Sequence, residues 1–272
     1  FYNQYLTQDK TSVFLQSLKE VEKKYSWEDV YSNVIKLSEE ISKYIKKGDR
    51  CLLISENRPE WMISDLSIML SGGITVPAYT TYTERDYEYI IDDCTPTVLI
   101  ISDKTQYLKV KNIVPEKKFI KKIIFFDAIE EFNQELHANI NQIFANKNFS
   151  LLNFSELKIQ RKDVACIIYT SGTQGNPKGV VLSHGGILNN CEGALGLLKE
   201  FISKKPKFLT WLPLSHSYEH TVQFVQIVVG AQVFYAESIE KLIKNMGNCS
   251  PEILTAVPKS VSYSHLQLPT IL

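Results

Sequence analysis

Several absences narrow the reading of this 272-residue chain before any motif is considered. Neither charge is in excess: 30 basic side chains balance 30 acidic ones, for a formal net charge of zero. A nucleic-acid module normally carries a basic surplus, so that class is set aside. No C-x-x-C pair occurs among Cys51, Cys94, Cys166, Cys191 and Cys249, and their number is odd. They read as reduced, mostly buried thiols of a cytoplasmic protein. No long apolar run is present either. The uncharged stretch 221–236 is shorter than a bilayer span and is interrupted by Gln223, Gln226 and Gln232. It reads as a buried helix followed by a strand, which excludes a transmembrane helix and leaves peripheral membrane association open. Phe1-Tyr2-Asn3-Gln4 has neither the basic nor the apolar region of a signal peptide. It also lacks an initiator methionine, so residue 1 is not expected to be the natural start.

What is present suffices for a large core: 44% of residues are hydrophobic, enough for one large or two ordinary domains. Ser26 followed by Asp29 has the form of a capping box, and Val30, Val34, Leu37, Ile41 and Ile45 then recur at helical spacing until Gly48. Buried strands are predicted at 51–55, 74–77, 98–102 and 123–126. They alternate with helices at 60–70, started by Pro59, and at 84–93, capped by Thr83. This alternation predicts a parallel-rich α/β sheet covered on both faces. Residues 1–25 carry no clear pattern, and 128–160 suggest a helix and surface loops. Further on, Ser183 caps a helix through Leu198, and a strand is predicted at 208–214.

The most informative stretch joins two apolar runs, Val164 to Tyr169 and Val180 to Leu182. Between them lies Thr170-Ser171-Gly172-Thr173-Gln174-Gly175-Asn176-Pro177-Lys178-Gly179. Gly172 and Gly175 allow backbone N–H groups to converge on an anion. Thr170, Ser171 and Thr173 add hydroxyl donors, and Lys178 adds a compact charge, a set suited to a polyphosphate. Walker A is excluded because Pro177 stands where its second glycine belongs, and the spacing of Gly172 and Gly175 excludes G-x-G-x-x-G. An ordinary Gly/Ser/Thr hairpin is the bland alternative. A second constellation, His216-Ser217-Tyr218-Glu219-His220, fits the H-x-x-E-H zinc-peptidase motif. Pro213 and Ser215, however, place His216 at a strand-to-helix turn, and no third ligand is evident.

The run Tyr169 to Gly179 resembles the signature loop of the adenylate-forming superfamily: acyl-CoA synthetases, luciferases and peptide-synthetase adenylation domains. It departs at Gln174, where the superfamily usually has threonine or serine; an amide can still donate to a phosphate oxygen. Three further segments are similar to long-chain acyl-CoA synthetases in order and spacing. These are Glu56-Asn57-Arg58-Pro59-Glu60-Trp61 with Gly73 to Tyr79, Leu212-Pro213-Leu214-Ser215-His216-Ser217-Tyr218-Glu219, and Glu252 to Pro258. Taken alone, the first of these is a set of helix-capping and turn residues.

The resemblance covers about residues 26–258. It implies stacked parallel-rich β-sheets with flanking helices, forming part of the large N-terminal domain, with the small C-terminal domain absent. It further implies activation of a long-chain fatty acid by ATP and Mg²⁺ to an acyl adenylate, captured by coenzyme A. Thr170, Ser171, Gly172, Thr173, Gln174, Gly175 and Lys178 would then bind the phosphates, with Thr170 or Thr173 approaching Mg²⁺. His216 would orient the acyl carboxylate as the catalytic residue, Glu219 and His220 would be substrate-gate candidates, and no zinc would be held. The alternatives are a ligase for another carboxylic acid, a non-catalytic nucleotide-binding fragment and, remotely, a zinc peptidase.

Overall fold

Capping chemistry decides where the helices begin. In the computed structural model, which describes residues 1–19, 22–130, 133–147, 157–170 and 177–256, Ser26 and Asp29 form a reciprocal capping box. It opens helix α2 (Trp27–Ser42), which follows α1 (Tyr2–Thr7), β1 (Val13–Ser17) and β2 (Lys24–Ser26). The apolar stripe of α2 is buried, and Gly48 closes the following turn at φ +90°, a conformation that costs a side-chain-bearing residue. The chain continues through β3 (Arg50–Ile54), α3 (Pro59–Leu70), β4 (Ile74–Ala78) and α4 (Glu84–Cys94). Helix α4 starts at a second capping box, Thr83 with Asp86. Then come β5 (Val98–Ile101), α5 (Lys104–Leu108), β6 (Lys122–Phe125), β7 (His137–Asn139) and α6 (Ile140–Ala145). The remaining elements are β8 (Val164–Thr170), β9 (Lys178–Ser183), α7 (His184–Leu198), β10 (Lys207–Thr210), α8 (Ser217–Val228), β11 (Gln232–Tyr235), α9 (Leu242–Cys249) and β12 (Ile253–Leu254).

The strands form two sheets. One has seven strands in the order β7-β6-β5-β3-β4-β8-β9, parallel throughout except for the antiparallel β8–β9 hairpin. The other has five in the order β12-β10-β11-β1-β2, parallel except for β1–β2. Fully buried strands such as Leu52-Leu53-Ile54 and Leu99-Ile100-Ile101 are apolar without alternation, as helices on both faces require. One apolar cluster joins the sheets through α2 and α3, drawing Phe14 and Val233 together with Leu53 and Ile100. Helix α3 is buried from Pro59 to Met69, including Glu60 and Asp65.

Three expectations need correction. The unpatterned N-terminus supplies β1, which lies inside the five-stranded sheet with Leu15 in register with Val233. Its Val-Phe-Leu-Gln-Ser sequence is too short to show a period, and its partner lies more than two hundred residues downstream. The region 128–160 contributes a parallel edge strand, β7, beside β6. The strand expected over 208–214 stops at Thr210, because the chain is diverted around Pro213 to cap α8.

Candidate functional site

The phosphate-loop motif joins β8 to β9 at the turn end of their hairpin. Thr170 and Lys178 face each other in register, both exposed, and Tyr169 faces Gly179. Ser171, Gly172, Thr173, Gln174 and Gly175 lie outside the described residues, so only the stem of the loop is defined here. Strand β8 is buried along Ala165, Cys166 and Ile168, and the Tyr169 hydroxyl donates to the Asp93 carboxylate of α4. The stem of the hairpin is thereby anchored to the sheet. A Cβ on Gly179 would stand 2.8 Å from Ile167 Cγ2, so this glycine is required by packing within the stem.

The hydroxyl of Thr170 is a neutral oxygen at the mouth of that loop. Mg²⁺ is usually held by one or two protein oxygens together with phosphates and water, and Thr170 fits that modest requirement. Among the described residues no group of three or more His, Cys, Asp or Glu side chains could hold a metal ion unaided.

His216 is the N-cap of α8. Its Nδ1 accepts from the Tyr218 N–H at 3.2 Å and the residue is exposed. In a neutral ring this contact assigns the proton to Nε2, the tautomer that can donate to a carboxylate. The side chains expected beside it turn inward. Glu219 is fully buried and accepts from Thr255 Oγ1 at 2.7 Å. Burial pushes its carboxyl up to about 7, with the Thr255 and Thr210 hydroxyls pulling weakly the other way. His220 is fully buried as well, with Nε2 3.0 Å from Asp65 Oδ2 and Nδ1 3.7 Å from Cys166 Sγ. Burial alone would push this imidazole down, but the Asp65 carboxylate overrides it and raises the ring to about 10. In this arrangement the contacts of Glu219 and His220 are structural, and neither side chain is presented to solvent. The surroundings of His216 and His220 differ accordingly, one exposed and one enclosed.

Two residues that sequence reading did not assign to the site hold it together. Asn57 Nδ2 donates to the Leu212 carbonyl at 2.6 Å, and Asn57 Oδ1 accepts from the Leu214 N–H at 3.0 Å. Arg58 packs between Glu60 (2.9 Å) and Asp127 (3.0 Å), tying the start of α3 to the end of β6. Glu60 is held well below the usual carboxylate range, to about 2: burial opposes this, and Arg58 with Lys23 more than reverses it. The carboxyl ends of β3, β4, β10 and β11 surround a crevice of about 290 Å³, lined by Asn57, Thr80, Trp211 and Ser215 among others. Ligands of parallel α/β sheets bind outside the carboxyl ends of the strands. Here Thr170 ends β8 and His216 follows β10 on that same side of their sheets.

A family profile described as AMP-binding enzyme matches residues 3–267. The chain belongs to the AMP-binding enzyme family. Among curated relatives of this chain, long chain acyl-CoA synthetase 3 of Arabidopsis thaliana is 30% identical over 260 residues. That match covers 90% of this chain and 39% of the relative. Long-chain-fatty-acid–CoA ligase 1 of Homo sapiens is 28% identical over 253 residues, covering 86% of this chain and 36% of the relative. The chain therefore spans less than half the length of the curated relatives it matches. Solved structures share the two-sheet fold. A red emitting luciferase from Phrixothrix hirtus aligns with a TM-score of 0.82 at 17% identity, covering 96% of this chain and 50% of that one. The O-succinylbenzoate coenzyme A synthetase of Bacillus subtilis, in complex with AMP, gives 0.72 at 16%, covering 99% and 64%. Within the described residues no helix is long and apolar enough to cross a membrane, and all five cysteines are free and buried.

Proposed function

We propose that these residues form the phosphate-binding and carboxylate-orienting part of an AMP-forming long-chain fatty acid–CoA ligase. The reaction joins the fatty acid carboxylate to the α-phosphorus of ATP, releases pyrophosphate and passes the acyl group to the coenzyme A thiol. Lys178 and the loop after Thr170 hold the β and γ phosphates, neutralising charge that builds on the leaving group. Mg²⁺ supplies further charge neutralisation, with Thr170 or Thr173 as an oxygen ligand. His216, with its proton on Nε2, donates to the carboxylate and keeps it directed at the nucleotide.

The observation that carries this reading is the position of Thr170 and His216 just at or beyond the carboxyl ends of strands in the two sheets, with Lys178 in register with Thr170, in a chain whose curated relatives are named for long-chain acyl substrates. The test is ATP–pyrophosphate exchange in an extended chain that joins these residues to the remaining length found in the relatives. Exchange should depend on a long-chain fatty acid and on Mg²⁺. Preference for a short or aromatic acid would replace the substrate, and fatty-acid-independent exchange would remove the reading altogether.

A further inference from the structure

His216 is carried by a segment with little support of its own. Strand β10 ends at Thr210, and residues 211–216 are neither strand nor helix. Two side chains from the β3–α3 unit hold this segment, one on each side of the imidazole. Upstream, Asn57 spans Leu212 and Leu214 with a donor and an acceptor side by side. A carboxamide presents the same pair of groups as a peptide unit, so Asn57 does for this segment what a neighbouring strand would do. Downstream, Asp65 Oδ2 receives His220 Nε2 at 3.0 Å and Gln223 Nε2 at 2.8 Å on the first two turns of α8. The His220 N–H in turn donates to the His216 carbonyl at 2.9 Å, so the first turn of α8 cannot rotate without moving His216.

The Asn57–Leu212 and Asp65–His220 contacts are each separated by 155 residues in sequence. The earlier residue meets the earlier part of the His216 segment and the later residue the later part, so segments 57–65 and 212–220 are tied at both ends in the same order. Cys166 of β8, 3.7 Å from His220, brings the strand that leads into the phosphate loop to the same point. Stability alone does not account for this arrangement. A buried ion pair contributes little net stability, because desolvation offsets the attraction, and apolar residues of similar volume often do better. What directional polar contacts add is a fixed geometry.

We propose that Asn57 and Asp65 are positioning residues for His216: from the β3–α3 unit they fix, at two points, the imidazole carried by the segment between β10 and α8. The arrangement sets the distance between the carboxylate-orienting group and the phosphate hairpin, which shares its sheet with β3, the strand that leads into the clamp. This rests on the role proposed above for His216, but its structural half does not.

The experiment therefore has two readouts in the extended chain: imidazole NMR signals of His216, and kcat and KM in ATP–pyrophosphate exchange. The variants are Asn57→Asp, which cannot donate to Leu212, and Asp65→Asn, with Asp65→Glu as the conservative rescue. A buried substitution on α2, Ile41→Val, serves as a control for general loss of stability. Asn57→Asp and Asp65→Asn should each shift the His216 signals and lower kcat at least about tenfold, with KM for ATP little changed, as a small misplacement of a reacting group does. Asp65→Glu should recover most of both, and Ile41→Val should alter neither. His216 signals that stay in place while Tm falls would overturn the proposal by reducing both residues to packing. Should Asn57→Asp not fold, Asn57→Ser is read in the same way. Absence of exchange in the unmodified chain would defeat the ligase reading alone, since the NMR comparison still decides the clamp.

Discussion

Glu219→Gln should make the protein more stable at neutral and alkaline pH, although it removes a hydrogen-bonded side chain. Glu219 is wholly buried, and burial raises its carboxyl from an ordinary 4.5 to about 7. An acid whose folded-state value lies above its unfolded one binds its proton more tightly when folded. Its contribution is therefore most favourable below about pH 4.5 and is lost as pH rises through about 7. At about 1.4 kcal/mol for each tenfold change in the protonation equilibrium, the loss amounts to ~3 kcal/mol. Glutamine keeps an oxygen for the Thr255 hydroxyl and has no charge to desolvate, so the variant should lack this loss. The assay is urea unfolding of both proteins between pH 5 and 8.5. The difference in stability should move in favour of Glu219→Gln by up to ~3 kcal/mol across that range, or about 2–4 °C in Tm per kcal/mol for a chain of this size. Parallel pH profiles would refute the reasoning, because they would mean that Glu219 keeps an ordinary carboxyl and reaches water.

Three further outcomes are expected. Lys178→Ala in the extended chain should slow pyrophosphate exchange by ~100-fold or more with Tm unchanged, because the side chain is exposed and its charge is directed at the leaving group. Unaltered exchange would remove Lys178 from the phosphate site. The raised imidazole of His220 should stabilise the fold fully below about pH 6.5 and cease to do so as pH rises to about 10. The Tm advantage of the unmodified chain over His220→Gln should therefore shrink across that window, and an advantage that grew with pH would contradict the Asp65 pairing. Gly179→Ala should cost ~1–3 kcal/mol, because its Cβ would stand 2.8 Å from Ile167 Cγ2. Adding Ile167→Ala should recover part of that loss, and no recovery would place the clash elsewhere.

What could be read from the sequence was what local chemistry controls. Ser26, Thr83 and Ser183 each accept from a backbone N–H in the first turn of the helix they were expected to cap. The apolar runs became β3, β5 and β6 because a strand covered on both faces has no polar side to conceal. Strands β8 and β9 followed from two apolar runs on either side of a Gly- and Pro-containing loop. Strand β1 was missed for the complementary reason. Val13 to Ser17 makes a strand only because β11 lies beside it, and nothing near it in the chain announces that partner.

The same limit explains why the site was read only in part. His216 was noticed as one member of a compact motif, with Glu219 and His220 beside it as substrate-gate candidates. Three or four residues on, however, a helix that starts at a surface turn points its side chains into the protein. That is where Glu219 and His220 lie, enclosed with Thr255 and Asp65. Asn57 looked like a turn residue because asparagine is common in turns, and its two bonds go instead to Leu212 and Leu214, 155 and 157 residues away. A carboxamide between a buried strand and a buried helix has few local groups to satisfy it. The same holds for the acid at Asp65, inside a helix buried on every side. Polar residues in such places need a partner from elsewhere in the chain. In this fold, where both sheets direct their carboxyl ends at one crevice, the partner of each lies on the segment that carries His216.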